Sequence, residues 1–300
     1  MQDPRAQDQR AAWCYAGATV ALWSTVATAF ELGLRDLQPA ALLAGANLVA
    51  VVTLFLIAAG LGRLGALRDL RAADCRRALL LGALNPALYY LVLFEAYDRL
   101  PGQVAQPLNY TWAMTLSLLA VPVLGHRLRA GELGAMVIAW AGVAVIASGG
   151  RLDRLVADDP IGIALALGST LIWASYWLLA ARDRREPVTG LLLNFCFALP
   201  LTIGFAAATG AGLRATPLAL GAILWIGVAE MGASFVLWLL AMQRARSTAG
   251  ISTLIFLSPF LSLVLLSTLA GEAIRPATLY GLALIVLGLL LQRRAAPVLP

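Results

Sequence analysis

The sequence predicts an all-α membrane protein in which ten transmembrane helices form two inverted five-helix repeats. Three observations carry that prediction. Hydrophobic residues make up 61% of the 300 positions and charged residues only 13%, apolar runs recur at the length of a bilayer-crossing helix, and the second half of the chain echoes the first. With a mean hydropathy of +0.83, no soluble core could hide so much apolar side chain. At about 20 residues per span, the length allows roughly ten spans and no sizeable soluble domain. A transmembrane barrel would alternate polar and apolar positions, whereas these runs are unbroken.

Taken in order, the apolar runs between charged or Pro/Gly punctuation fall at 13–32, 39–61, 78–97, 102–124, 131–149, 160–181, 188–209, 217–241, 247–270 and 276–292. The leading MQDPRAQDQR lacks a signal peptide's order of basic, apolar and small-residue regions, so the first run is expected to stay as a helix. The basic charge is all arginine. If the N-terminus is cytoplasmic, 16 of the 22 arginines lie on the inner side, clustered near Arg10, Arg71, Arg129, Arg184, Arg244 and Arg294, and six lie outside. Positive charge concentrates on the cytoplasmic side, so both termini are expected there. The net charge of +6 thus reads as a topology signal and gives no reason to expect nucleic acid. Cys14, Cys75 and Cys196 are scattered, without a CxxC pair, and point to neither a disulfide frame nor a metal site.

The repeat boundary is expected near GGRLDRLVADDP at 149–160, giving units 1–150 and 151–300. Trp23 in ALWST matches Trp173 in LIWAS at a separation of 150. Asn85 with Glu230, Tyr89 with Ser234, Ala96 with Ala241 and Arg99 with Arg244 match at 145, and Gly142 with Gly288 at 146. Five spans is an odd number, so the second copy must enter the membrane upside down. Inverted repeats with polar groups near the midplane are a recurrent plan for secondary transporters.

The polar and aromatic residues inside apolar runs are the candidate cargo contacts, because such groups are costly in hydrocarbon and face a bundle interior or wet cavity. The stretch 82–112 holds Asn85, Tyr89, Glu95, Asn109, Tyr110 and Trp112. Residues four apart share a helix face, which pairs Asn85 with Tyr89, Glu230 with Ser234 and Trp173 with Trp177. Converging on one cavity, they would offer aromatic faces, amide and phenol hydrogen bonds and one carboxylate, which suits an aromatic zwitterion. A structural reading stands beside several of them. Asn85 precedes Pro86, which frees a carbonyl that a side chain must satisfy. Glu230 could meet a substrate amine, couple protons or only bond a neighbouring helix, Glu95 could pair with Arg99, and Pro86 and Pro259 could be hinges or kinks that touch no cargo. Trp13, Tyr15, Trp140 and Tyr280 read as interfacial belt residues, His126 as a solvated helix end, and Gly131, Ala135, Ala139, Ala277 and Gly281 as close-packing scaffold.

With LWST at 22–25, NYTW at 109–112, IWASYW at 172–177, LSPF at 257–260 and the GEAIR turn at 271–275, the chain resembles the drug/metabolite transporter superfamily of EamA type. The nearer likeness is to the YddG-like aromatic amino acid exporters of bacterial inner membranes. The resemblance spans essentially the whole chain, although each motif is short. It implies export of aromatic or apolar amino acids by alternating access, and it adds Ser258 of the LSPF motif to the candidate contacts. It also implies small-molecule cargo in a lipid bilayer and a monomer or weak dimer. The family's Glu after the Gly between fourth and fifth spans is kept as Glu272 and replaced by His126 in the first copy. Its Pro after the fourth-span aromatic is Ala113 in the first copy and Pro259 in the second, so the first copy lacks the kink signal. No cofactor or metal is expected, since no Gly-rich nucleotide loop or His/Cys cluster occurs. A membrane-embedded enzyme would need an acid/base or nucleophile pair that the sequence does not place together. An exporter of drug-like cations or other small metabolites of the same superfamily remains the alternative, and a lipophilic-cation cargo would depend on Glu230 while sparing Asn85 and Tyr89.

Overall fold

In a computed structural model the described residues are 4–124, 129–151, 159–212, 216–244 and 253–295. They contain helices and turns and no strand. We number the helices α1 (Pro4–Leu34), α2 (Pro39–Gly60), α3 (Ala72–Arg99), α4 (Gly102–Asn109), α5 (Trp112–Leu124), α6 (Ala130–Ala147), α7 (Pro160–Ala180), α8 (Pro187–Ala208), α9 (Pro217–Arg244), α10 (Leu254–Ala270) and α11 (Pro276–Ala295). A short 3₁₀ turn, Leu64–Asp69, precedes α3. Among the described residues, seven of these helices are long and apolar enough to cross a membrane: α1 from Gln9, α2, α3, α6, α7, α8 and α9. The expected spans at 247–270 and 276–292 correspond to shorter apolar helices. His126 lies outside the described residues.

Local chemistry explains where the helices begin. Proline sits in the first turn of α2, α7, α8 and α9, where its missing N–H costs nothing. Asp159 caps α7 by accepting from Gly162 N at 2.8 Å, Glu186 caps α8 through Thr189 N at 2.7 Å, and Thr216 caps α9 through Ala219 N at 3.2 Å. Each cap is worth about 1 kcal/mol. Gly271, at φ 75°, ends α10 in the left-handed region that glycine enters at little cost.

Two expectations change. The run 102–124 is not one helix: it breaks at Tyr110 and Thr111, so α4 and α5 are separate. Ala113 supplies no kink, but Pro107 inside α4 removes a backbone donor just before the break. Regular α geometry also fails inside two longer helices. The helix is π-wound over Ala83–Leu88 in α3, with Asn85 in an extended conformation (φ −143°, ψ 117°), and over Ile226–Ser234 in α9.

The two halves pack mainly on each other. α2 lies against α8 and the π segment of α9, α1 against α9 and α10, α3 against α7 and α8, and α6 against α11. The α6–α11 contact has small residues on both sides. A Cβ on Gly288 would lie 2.6 Å from the Ala135 carbonyl oxygen, and one on Gly142 would press into the Gly281 carbonyl. Ala135, Ala139 and Gly281 therefore lie in this seam. Gly131 is exposed and does not. Away from the contacts, Leu56, Val137, Val264 and Leu269 stand exposed, as an apolar solvent requires. Trp13, Trp140 and Tyr280 are exposed as well, while the Tyr15 ring lies 5.3 Å beneath the Arg244 guanidinium.

Candidate cargo cavity

A cavity of about 90 Å³ runs between α1, α3, α4, α5, α7, α9 and the start of α10. That is several times the roughly 10–15 Å³ needed to hold one water. Eight of the sequence-selected residues line it: Trp23, Tyr89, Asn109, Tyr110, Trp112, Trp173, Trp177 and Glu230.

Trp173 is the hub of the aromatic wall. Its ring centroid is 4.5 Å from Tyr89, 5.7 Å from Trp177, 5.8 Å from Phe235 and 6.5 Å from Trp112. Offset and edge-to-face pairs of this kind contribute about 0.5–1.5 kcal/mol each beyond burial. On the facing side Trp23 lies 5.4 Å from Trp238. Hydrogen bonds hold the rings in place: Trp23 Nε1 donates to Ser234 Oγ at 3.0 Å, and Ser234 Oγ donates to the Glu230 carbonyl oxygen. Tyr89 OH donates to Asn109 Oδ1 at 3.2 Å, and Asn109 Nδ2 donates to Ser169 Oγ at 2.9 Å.

Three candidates do not reach the cavity surface. Asn85 is fully buried beside Tyr176, and Ser234 acts behind Trp23. Ser258, buried at the first turn of the regular part of α10, receives a 3.4 Å hydrogen bond from Ser24 Oγ and lies beside Tyr110. Pro86 lies in the π segment of α3. Pro259 lies where the 3₁₀ turn Thr253–Leu257 passes into the α portion of α10 that begins at Ser258.

Several residues in and behind the wall escaped the sequence reading. Tyr90 OH donates to Glu230 Oε1 at 2.9 Å, so the carboxyl is held by a phenol from the other half. Gln106, Trp238, Phe30 and Tyr97 also line the cavity. Gln106 had a signal, a polar residue three before Asn109 and four before Tyr110 on one helix face. Trp238 had one too, as the repeat mate of Leu93, which also lines the cavity.

The two ends of the cavity differ. Toward the C-terminal ends of α1 and α3 it is closed by Phe30, Tyr90, Phe94 and Tyr97, all deeply buried, with Phe30 centroids 4.7 Å from Phe94 and 5.2 Å from Tyr97. Above this plug the Glu272 carboxylate accepts from the first amides of α4, Gly102 N at 2.7 Å and Gln103 N at 3.1 Å. The Gln103 side chain in turn donates to Ala273 O at 2.9 Å and accepts from Arg275 N at 2.8 Å. Toward the opposite end the wall is Trp177, Trp238 and Ile255, which are only half-buried.

Charge networks mark both faces outside the spans. On the plugged face Asp159 accepts from Gly162 N–H and faces Arg99 at 3.6 Å, which together hold its carboxyl below the usual range. Arg99 therefore pairs with Asp159 across the two halves. On the other face burial pushes Asp183 up, but the hydrogen bonds and charge of Arg185, with Arg77 at 3.6 Å, outweigh it and leave the carboxyl below its ordinary value. The Arg185 guanidinium, 8% exposed, also donates to Asn194 Oδ1 at 2.8 Å and tethers α8 to the start of α3 through Asp74 O. Among the described residues no three His, Cys, Asp or Glu side chains gather as a metal site would require.

Long apolar helices, lipid-type exterior faces and an internal aromatic cavity define a multi-pass membrane protein. The profile of the EamA-like transporter family matches residues 11–148 and again 160–293, and the chain belongs to that family. It is 28% identical over 282 residues to a probable terminal-alkyne amino-acid exporter of Streptantibioticus cattleyicolor, covering 92% of this chain and 91% of that one. A protein crystal structure with 22% identity superposes with a TM-score of 0.67 over 93% of this chain and 97% of the other, which supports the fold.

Proposed function

We propose that this chain is a secondary transporter that exports amino acids, preferably aromatic or apolar ones, across a bacterial inner membrane by alternating access. In this reading residues 1–150 and 151–300 are inverted five-helix repeats, ten helices cross the bilayer with α4 and α5 together as one broken span, and both termini are cytoplasmic. The conformation described above is then inward-facing, with the aromatic plug and the Glu272 clasp closing the outer end.

The observation that carries the proposal is the cavity itself. It combines an aromatic wall centred on Trp173 with one carboxylate, Glu230, which suits a solute bearing an ammonium group and an apolar side chain. The amino-acid cargo named for the Streptantibioticus relative supports the same class. Cross-packing of the halves supports the mechanism, because rocking one half against the other would open one end of the cavity as it shuts the other. A drug-cation exporter is the second reading, favoured by the presence of Glu230 in the wall. Counterflow of labelled aromatic, aliphatic and charged amino acids in liposomes tests the proposal, and failure of every amino acid to move would overturn the cargo class.

A further inference from the structure

Three buried polar atoms in the cavity wall have no hydrogen-bond partner among the described residues: Gln106 Oε1, Glu230 Oε2 and Trp177 Nε1. Buried polar atoms in folded proteins are nearly always paired, so an unpaired set on the wall of one cavity marks where a solute completes the bonding. The two oxygens can accept hydrogen bonds, and the indole nitrogen can only donate. Gln106 is 5% exposed and stands on α4, whose first amides are fixed by Glu272. Glu230 comes from the other half and has its remaining oxygen held by Tyr90. Both acceptors are thus positioned by neighbours before any solute arrives.

The charge of the wall is one-sided. Among the described residues, no arginine lines the cavity, and Glu230 carries the one carboxyl there. A solute ammonium finds a carboxylate and an amide oxygen. A solute carboxylate finds only neutral donors, which repay poorly the cost of taking an anion out of water.

We infer that Gln106 is a specificity-determining residue that reads the ammonium group of the cargo together with Glu230, and that the cavity makes little use of the cargo's carboxylate. The cargo class is then wider than amino acids: primary amines with an apolar side chain, amino-acid amides among them. This rests on the proposed role of the cavity as the cargo site.

The test is calorimetric titration of the protein in lipid nanodiscs with phenylalanine, phenylalaninamide, phenethylamine and N-acetylphenylalanine, run beside counterflow of labelled phenylalanine in liposomes. The amide and the amine are expected to bind at least as tightly as phenylalanine, and the N-acetyl compound roughly tenfold or more weakly, the usual worth of a charge-assisted hydrogen bond. Gln106→Leu should weaken all three amines by about tenfold. Gln106→Glu, which keeps an acceptor, should preserve or tighten their binding, a gain that misfolding cannot imitate. The inference is overturned if N-acetylphenylalanine binds as well as phenylalanine, if Gln106→Leu leaves the amines unaffected, or if none of the four binds. Binding of the amines without counterflow of any amino acid would sink the export reading and leave this one standing.

Discussion

Removal of the Glu272 carboxylate is expected to loosen the plugged end of the cavity. The carboxylate takes two backbone N–H groups at the start of α4, at 2.7 and 3.1 Å, and sits where the helix dipole favours negative charge. Capping bonds of this kind are worth about 0.5–2 kcal/mol and the dipole about 0.3–1 kcal/mol. Because Glu272 is only half-buried, solvent screening lowers the sum, and about 1–2 kcal/mol is a reasonable loss for Glu272→Ala. If the clasp holds only the plugged state, that loss moves the balance between plugged and opened states by roughly 5- to 30-fold. The assay uses a background in which Cys14, Cys75 and Cys196 are replaced and Val104→Cys is added, since Val104 is buried at the clasped end of α4. The rate of labelling by a charged, membrane-impermeant maleimide applied to the plugged side should rise by that factor in Glu272→Ala. It should rise less in Glu272→Gln, which keeps one acceptor. Equal labelling with and without the carboxylate, in protein that still elutes as a folded species, would show that the clasp does not hold the gate.

Other outcomes follow from the same geometry. Trp112→Ala or Trp173→Ala should cut counterflow of aromatic substrates about 3- to 10-fold more than that of small ones, because the lost ring contacts are worth about 0.5–1.5 kcal/mol each; equal loss for all substrates would refute a direct contact. In the α6–α11 seam, Gly142→Leu should lower the melting temperature sharply, since its Cβ meets the Gly281 backbone, while Gly134→Ala, which faces open space, should change it little; thermal unfolding monitored by size exclusion separates the two. Arg185→Met should cost about 3 kcal/mol by leaving Asp183 without its main partner. The pH dependence has a definite sign. Asp183 has a lowered folded value, so its contribution is complete above the ordinary carboxylate range and is lost only as pH falls through that lowered value. Arg185→Met should start to lose stability at a higher pH than the parent, and coincident acid-unfolding curves would contradict the pairing.

What the sequence could and could not disclose follows from which physical signals are local. Trp23, Tyr89, Trp112, Trp173 and Glu230 were visible because a ring or a carboxyl inside an apolar run must be turned away from lipid, and that cost is written in one residue and its neighbours. Seven of the helices were visible for the same reason of contrast, bounded by arginine, proline and glycine. The break between α4 and α5 was hidden because the expected marker position is Ala113 and the effective proline, Pro107, lies three residues before the gap it helps create. The placement of Ser234 behind the wall was hidden by helix type. A four-residue spacing keeps two side chains on one face only at α-helical pitch, and the π winding of Ile226–Ser234 turns Glu230 into the cavity while Ser234 goes behind Trp23. Tyr90 was indistinguishable from Tyr89 in the sequence, since two adjacent tyrosines differ only in the direction they point. That direction is set by α9, whose Glu230 lies 140 residues away along the chain. Contacts of such range are the ones through which each half of this protein completes the other's half of the cavity, so a mutation in either half should disturb the site that both share.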